Sequence, residues 1–520
     1  MLNRTAKAGD GAVGIETRVR PRAGGRGIRG LVGLAVAVGA ALIAVPSASA
    51  ITFTFAHHPM TPPTDPSAAC TMQKQRWAER TASAGVGTAP DAGADLNADM
   101  VNDLWVGQPF CDVGANTEQG RVYLLSGKEF ETNTTKVIRT IDSPAPAAKQ
   151  RFGFFISVLG DVNGDGTPDI AIGTDPQDGT RGKAWVFSGA TGAVLYQLVS
   201  PAPQDGDRFG SRIGRAGDVN GDGVPDIIVG ASSESVEGKA KQGQAYIFSG
   251  KDGTLIRPLD IPSSDAVAGS NFGLAVQGPG DVNGDGIPDQ VVDASNFAGG
   301  LPNQGRMYVF DGATGKLISP IDDPVPQASA FFGFQDVTPL SPGDLNGDGK
   351  AEIYGNGFLQ TDTLPTSGEA WVFDGKSVTE GRPVVLRTLH DPTPEPGGQF
   401  GWSMSKTDYN HDGVNDLYVG QSPHVAAFPL NQNGGTYVFD GTNGSLLKAL
   451  EMPSACLQTG TPGNNGPALG WTVSTPGDLN GDKQADYVAG APFFDRASNT
   501  DEGVLLAFMS GEMENPNAPC

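Results

Sequence analysis

After residue 50 the chain has no apolar run long enough to cross a bilayer, which takes about 20 residues, because Gly, Pro and Asp interrupt every candidate. Membrane insertion of the mature chain is therefore not expected. Basic residues are scarce as well. The first 50 residues hold seven Lys and Arg and two acidic residues, so the 35 basic and 58 acidic residues of the whole become 28 against 56, a charge of −28. Such a chain offers no basic face to nucleic acid or to an anionic lipid surface, and its natural partners are cations. The five histidines (His57, His58, His390, His411, His424) have no metal-ligand spacing, and no Ser/His/Asp order or pair of acids stands apart from the rest. Cysteine is limited to Cys70, Cys111, Cys456 and Cys520, without zinc-type spacing. An even number, all after residue 50, suits an oxidising compartment. Their places along the chain favour Cys70 with Cys111 and Cys456 with Cys520.

What the first 50 residues contain is an export signal: a basic stretch (Arg18, Arg20, Arg22, Arg26, Arg29), an apolar run from Leu31 to Val45, and the small-residue site Ala48-Ser49-Ala50. The mature chain is expected to begin at Ile51 and to be secreted.

Gly and Pro are abundant, 74 and 39 residues. In an aperiodic chain that abundance suggests disorder; here it recurs with a period and marks turns. An acidic loop, D-x-N-x-D-G-x-x-D, starts at Asp161, Asp218 and Asp281, with variants at Asp95, Asp344, Asp408 and Asp478. The intervals are 66, 57, 63, 63, 64 and 70 residues, the length of four short strands with their turns. Around the second loop, Phe152-Gly153 opens a strand from Phe154 to Leu159, and a second runs from Ile170 to Gly173. A third covers Lys183 to Phe187, and after the turn Ser188 to Gly192 a fourth covers Ala193 to Val199. Phe-Gly recurs at 209, 272, 332 and 400, and as Leu469-Gly470; the aromatic third strand recurs at Tyr246, Tyr308, Trp371 and Tyr437. Those aromatics read as packing between repeats. Seven four-stranded units make an all-β, seven-bladed β-propeller with antiparallel blades. The seventh unit ends after its third strand (Val504 to Met509), and Ile51 to Phe55, followed by His57-His58-Pro59, supplies the missing fourth. Closing the ring this way removes two exposed sheet edges.

Hard divalent cations take several oxygen ligands, which alternate residues of a tight loop can deliver. In the second loop Asp161, Asn163 and Asp165 offer side-chain oxygens, Thr167 its carbonyl and Asp169 the closing carboxylate. The parallel sets are Asp218, Asn220, Asp222, Val224, Asp226; Asp281, Asn283, Asp285, Ile287, Asp289; Asp344, Asn346, Asp348, Lys350, Glu352; and Asp408, Asn410, Asp412, Val414, Asp416. The first loop (Asp95, Asn97, Asp99, Asp103) has Met100 in place of the sixth-position glycine, and the last (Asp478, Asn480, Asp482, Gln484, Asp486) has Lys483. Those two are expected to be the weakest sites, since a side chain forced left-handed costs roughly 1–2 kcal/mol. The alternative for any one loop is an Asx-type turn without metal. Three acids crowded into each of seven loops favour calcium, up to seven ions.

The Phe-Gly opening, the acidic loop and Gly490-Ala491-Pro492 after a second strand, with near versions at Gly230-Ala231 and Gly107-Gln108-Pro109, resemble the FG-GAP repeats of integrin α-subunit propellers. The resemblance covers nearly all of residues 51–520 and implies an extracellular adhesion or interaction module that binds a protein or glycan, here as a monomer. It departs in carrying seven calcium-type loops. The acidic loops fall on one face. The longer loops of the opposite face carry Phe297, Phe358, Phe428 and Phe493, which are candidates for ligand contact or local packing. The alternative class is a propeller enzyme, a lyase or hydrolase or a quinone-dependent dehydrogenase; Tyr308 to Leu317 resembles a repeat of the last.

Overall fold

The computed structural model describes residues 56–60, 80–83, 94–132, 135–176, 178–334, 342–361, 364–422, 433–452, 467–492, 494 and 503–510. They form seven antiparallel sheets, numbered here as blades 1 to 7 in the order of the acidic loops. Blade 2 is typical, with strands Phe155–Gly160, Asp169–Gly173, Ala184–Phe187 and Val194–Leu198 paired in that order. Blade 5 shows three strands, Ile353–Gly357, Glu369–Phe373 and Val385–Leu389; the segment 335–341, where its first strand is expected, lies outside the described residues. The first strands of blades 6, 7, 1, 2, 3 and 4 touch in succession and line the axis of the ring, which blade 5 completes through its apolar interfaces with blades 4 and 6.

Period-two alternation explains why the second and third strands are buried along their whole length. In blade 2, Ile170, Ile172, Trp185 and Phe187 pack with Trp105, Val122 and Leu124 of blade 1. Their neighbours Ala171, Ala184 and Val186 pack with Ile227, Val229, Tyr246 and Phe248 of blade 3. Each sheet is thus shared by two cores. The pattern repeats around the ring, giving seven apolar clusters for seven blade interfaces, the last joining Leu104, Tyr123 and Leu125 of blade 1 to Val488, Leu505 and Ala507 of blade 7. The aromatic repeats fill these interfaces as expected. Phe152 stands edge-on to Trp185 and Phe187 at 6.0 Å, and Phe272 to Tyr308 and Phe310 at 5.7 and 6.1 Å.

The Phe-Gly pair also joins blades through its backbone. Phe152, Phe272, Phe332 and Phe400 each donate a main-chain N–H to the residue just before the glycine that opens the preceding blade's third strand. A Cβ on that glycine (Gly120, Gly182, Gly243, Gly305, Gly368 or Gly434) would lie 2.1–2.3 Å from the carbonyl oxygen of the incoming Phe or Leu. A second glycine, at the end of strand two, is equally constrained: a Cβ on Gly173 would lie 1.9 Å from the Gly210 oxygen. Blades 4 and 5 carry Asp293 and Asn356 at this place, and Asn356 meets the approaching Gly401 carbonyl with a hydrogen bond from Nδ2 at 2.7 Å. To make this approach the residue before each Phe-Gly turns left-handed although none is glycine: Arg151, Arg208, Asn271, Phe331, Gln399 and Ala468 have φ between 52° and 58°. Their side-chain chemistry gives no hint of it.

The ring closes through an N-terminal strand, as expected, but with a different segment. Ala56–Met60 pairs with Val504–Met509, Ala56 opposite Met509 and Met60 opposite Leu505; Ile51 to Phe55 lie outside the described residues. The sequence pattern placed Pro59 after the strand, whereas the strand contains it. This strand is the outermost of blade 7, where a missing N–H breaks no ladder, and Pro258 and Pro320 occupy outer strands of blades 3 and 4 for the same reason. A second departure is the short helix Gly375–Thr379, capped by Asp374, which replaces the tight turn after the third strand of blade 5.

Gly173→Ala should destabilise the fold by about 2–3 kcal/mol or more, as overpacking against backbone cannot relax by rotamer change. Gly286→Ala, whose Cβ would meet nothing within 4 Å at φ +88°, should cost about 1 kcal/mol. Urea unfolding of both variants checks the order; equal losses would show that the close approach does not govern blade packing.

Candidate functional site

Each acidic loop leads into the second strand of its blade, so all seven lie on one face. Numbering loop positions from the first Asp, the position-one carboxylate organises the backbone. In blade 2, Asp161 Oδ1 accepts from Gly164 and Asp165 N–H at 2.7 and 3.1 Å, and Oδ2 from Gly166 N–H at 2.7 Å. Asn163 Oδ1 accepts from Asp165 N–H, its Nδ2 donates to Asp169, and Asp165 Oδ1 accepts from Thr167 N–H. The sets beginning at Asp218, Asp281 and Asp344 repeat this arrangement. The first, sixth and seventh loops keep its main features, with Asp95, Asp408 and Asp478 each accepting the position-six N–H.

The closing residue differs from the others in burial. Asp103, Asp169, Asp226, Asp289, Glu352, Asp416 and Asp486 are all fully buried. One oxygen accepts from the N–H after position one, as Asp169 does from Val162 at 2.9 Å. In six blades the other accepts from a residue of the turn after strand three: Gly127, Gly189, Gly250, Gly312, Gly441 and Ser510. That turn is therefore part of the site, which sequence reasoning missed; the Gly after the strand-three aromatics is its signature. Burial pushes these carboxyls up despite the N–H donors: Asp226, Asp289 and Asp416 to about 6, Asp103, Glu352 and Asp486 to about 7, and Asp169 also upward. Neighbouring acids of the same loop push in the same direction.

These donors fit a hard divalent cation. In blade 5 carboxylate oxygens of Asp344, Asp348 and Glu352 all lie within 4.8 Å of one another, the separation expected of oxygens bound at about 2.4 Å to one ion. Among the described residues this is the one group of three acids so close. Blades 4, 5 and 6 bring a further acid from the turn, missed in the sequence: Asn283 Nδ2 lies 3.4 Å from Asp311, Asn346 Nδ2 lies 3.2 Å from Asp374, and Asp440 occupies the same place in blade 6. Met100 and Lys483 are left-handed as expected, at φ 70° and 68°. Position four is left-handed too, so the first loop strains Ala98 (φ 62°) as well, and the sixth strains His411 (φ 58°).

A family model described as FG-GAP repeat matches residues 152–187 and 209–248, which are blades 2 and 3 from the Phe-Gly pair to the third strand. The chain carries FG-GAP repeats. Similar proteins include "Integrin alpha pat-2" of Caenorhabditis briggsae, 34% identical over 224 residues (39% of this chain, 17% of that protein), and "Integrin alpha-5" of Xenopus laevis, 27% over 240 residues (43% and 21%). "Phosphatidylinositol-glycan-specific phospholipase D" of Bos taurus is 36% identical over 118 residues (22% and 13%). The matched stretches thus span less than a quarter of these relatives' length. A solved structure described as the Dos1 propeller aligns with a TM-score of 0.41 at 12% identity, covering 79% of this chain and 76% of that one. The FG-GAP propeller described here resembles the N-terminal propeller of integrin α-subunits in repeat sequence and in blade number.

On the opposite face of this FG-GAP propeller the two described loop aromatics are packed, which favours local packing over ligand contact for them. Phe297 is 8% exposed, lies under the Arg306 guanidinium at 4.6 Å and joins the core of blades 3 and 4. Phe358 is equally buried, edge-on to Trp402 at 4.9 Å. Phe428 and Phe493 lie outside the described residues, as do Cys70, Cys456 and Cys520; Cys111 is buried in the loop after strand two of blade 1. Ion pairs hold successive blades together here, Arg151 to Glu118 and Arg208 to Asp175. In blade 3 the Tyr246 hydroxyl donates to buried Glu234, at 2.8 and 2.9 Å from its two oxygens; burial pushes that carboxyl up to about 7, with Asp207 adding to the effect.

Two tests follow from these geometries. Met100→Gly and Lys483→Gly should each gain about 1 kcal/mol, the left-handed cost less the added entropy of glycine; a fall in melting temperature in both would show that the strain is not felt. Glu234 has a folded pKa above its ordinary value, so it weakens the fold as pH rises from about 4.5 through 7. Glu234→Gln keeps an acceptor for Tyr246 and does not titrate. Its stability relative to the parent should therefore rise between pH 5 and pH 8, and a pH-independent difference would refute the burial argument.

Proposed function

We propose that this chain is a secreted FG-GAP propeller whose acidic loops bind calcium, and that it acts as an extracellular interaction module for a protein or glycan. The supporting observation is the shared loop arrangement with its buried closing carboxylate: burial disfavours the charge, and a bound cation offsets that cost. On this reading positions one, three, five, seven and nine of each loop supply the donors, up to seven ions, with the loops at Asp95 and Asp478 weakest. Calcium suits them better than magnesium because it accepts a larger and less regular set of oxygens.

The ion is structural. Position one fixes the loop, position nine fixes the turn after strand three, and together they join both hairpins of a blade at one end. The rigid ring then presents its opposite face, built from the loops after strands two and four, to the partner. Residues 1–50, outside the described residues, serve as the export signal, with Ile51 as the first residue of the mature, monomeric chain. That assignment is consistent with a ring that closes through a strand beginning at Ala56.

Elemental analysis of the purified chain should find several calcium ions, and chelation should lower the melting temperature by many degrees, reversibly, with magnesium restoring it poorly. A site at ten times its dissociation constant contributes roughly 1.4 kcal/mol, so several sites amount to much of a normal folding free energy. Asp161→Ala combined with Asp165→Ala should remove one ion. An unchanged melting temperature in excess chelator, with fewer than three ions bound, would leave the loops as plain turns. A protein and glycan array probed with the calcium-loaded chain tests the interaction reading separately.

A further inference from the structure

The loops of blades 4 and 5 are connected in a way that their counterparts at the start of the ring are not. Lys350 stands at position seven of the blade 5 loop, and its ammonium reaches across the blade boundary to donate to the Asn283 carbonyl at 2.8 Å. The short helix of blade 5 holds it from the other side through Thr379 Oγ1 at 3.4 Å. Its Cε lies 3.3 Å from the place a Cβ would take on Gly284, so the side chain lies along positions three and four of the blade 4 loop. The next residue, Ala351, donates its N–H to the Asp281 carbonyl at 2.8 Å. Asp281 and Asn283 carry cation donors of one loop; Lys350 and its near neighbour Glu352 carry donors of the other.

The equivalents of Ala351 in blades 2, 3 and 4 are Pro168, Pro225 and Pro288, which have no N–H to give. The equivalents of Lys350 are Thr167, Val224 and Ile287, none with an amine. Blade 1 keeps the backbone bond, Asn102 N–H to the Asp478 carbonyl at 3.3 Å, without a side-chain bridge from Val101. Resting on the calcium reading above, we propose that Lys350 links the blade 4 and blade 5 loops into one pair of calcium sites, in which an ion bound at either raises the affinity of the other. The physical basis is ordering. An ion in the blade 5 loop fixes the Lys350 backbone, which places the ammonium on the blade 4 loop and lowers the entropy still to be lost when that loop binds. The charge of the ammonium opposes a cation in the blade 4 loop, most of all when the blade 5 ion holds it there, so the linkage is the gain from ordering less this repulsion.

The test follows hydrogen exchange of the peptide covering 281–289 in the full chain during a calcium titration. With Lys350 present, breaking the blade 5 loop by Asp344→Ala and Asp348→Ala should move the midpoint of protection to roughly five-fold higher calcium, the lower end of ordinary site coupling. With Lys350→Val the same lesion should move it less than two-fold. Valine is the residue of the sister loops at 224 and 414, so the fold accommodates it, and a melting curve in calcium confirms folding. Reciprocity requires an equal shift in peptide 344–352 when the blade 4 loop is broken by Asp281→Ala and Asp285→Ala. Equal shifts with and without Lys350, or none in either, would overturn the linkage while the calcium reading stands. Absence of calcium-dependent protection in every loop, the remote 161–169 peptide included, would overturn both.

Discussion

Seven carboxylates buried at the start of seven second strands are the constraint on which this molecule depends. Each belongs to a loop, yet each also accepts a hydrogen bond from its own loop's backbone, and six of them from the turn that follows strand three. A buried charge must be compensated or neutralised, and here compensation takes the form of connections: the loop and the turn cannot separate without orphaning the acid. The loops and turns of that face are therefore tied together for an electrostatic reason. The opposite face is held differently, by ion pairs such as Arg208 with Asp175 and by aromatic packing around Trp402.

Blade packing obeys a second rule, steric rather than electrostatic. Because alternate residues of each second and third strand face different neighbours, every blade contributes half of two cores and owns none. The glycines that admit the Phe-Gly backbone set the spacing between sheets. Where a glycine is replaced, at Asp293 and Asn356, the polar substitute takes hydrogen bonds of its own: Asp293 accepts from Ala275 N–H and Ser295, and Asn356 donates to Gly401. The ring is thus regular in its mean plan and individual at the junctions on either side of blade 5, where the tight turn also gives way to a helix.

The repeat made most of this legible in advance. Loop spacing gave the blade count, period-two alternation gave the strands to within a residue or two, and the glycine pattern pointed to the strained Met100 and Lys483. What stayed hidden depends on geometry between blades. The left-handed residue before each Phe-Gly is Arg, Asn, Phe, Gln or Ala, so no residue type announces it. The turn that completes the acidic site lies some twenty residues from the carboxylate it bonds, beyond any local motif. Phe297 and Phe358 sit in variable loops, where exposure is the usual expectation, but Arg306 and Trp402 cover them. The closing strand contains Pro59, where the repeat pattern ends a strand at proline, because an outer edge admits it.

That closing strand has a mechanical meaning. Ala56 stands opposite Met509, so the chain enters and leaves the last blade at the same end of one antiparallel ladder. Tension drawn between those two points would load the pairs one after another, as in a zipper, and not all together in shear. The sheet would open from its rim, one rung at a time, while the six other blades kept their strands and their interfaces.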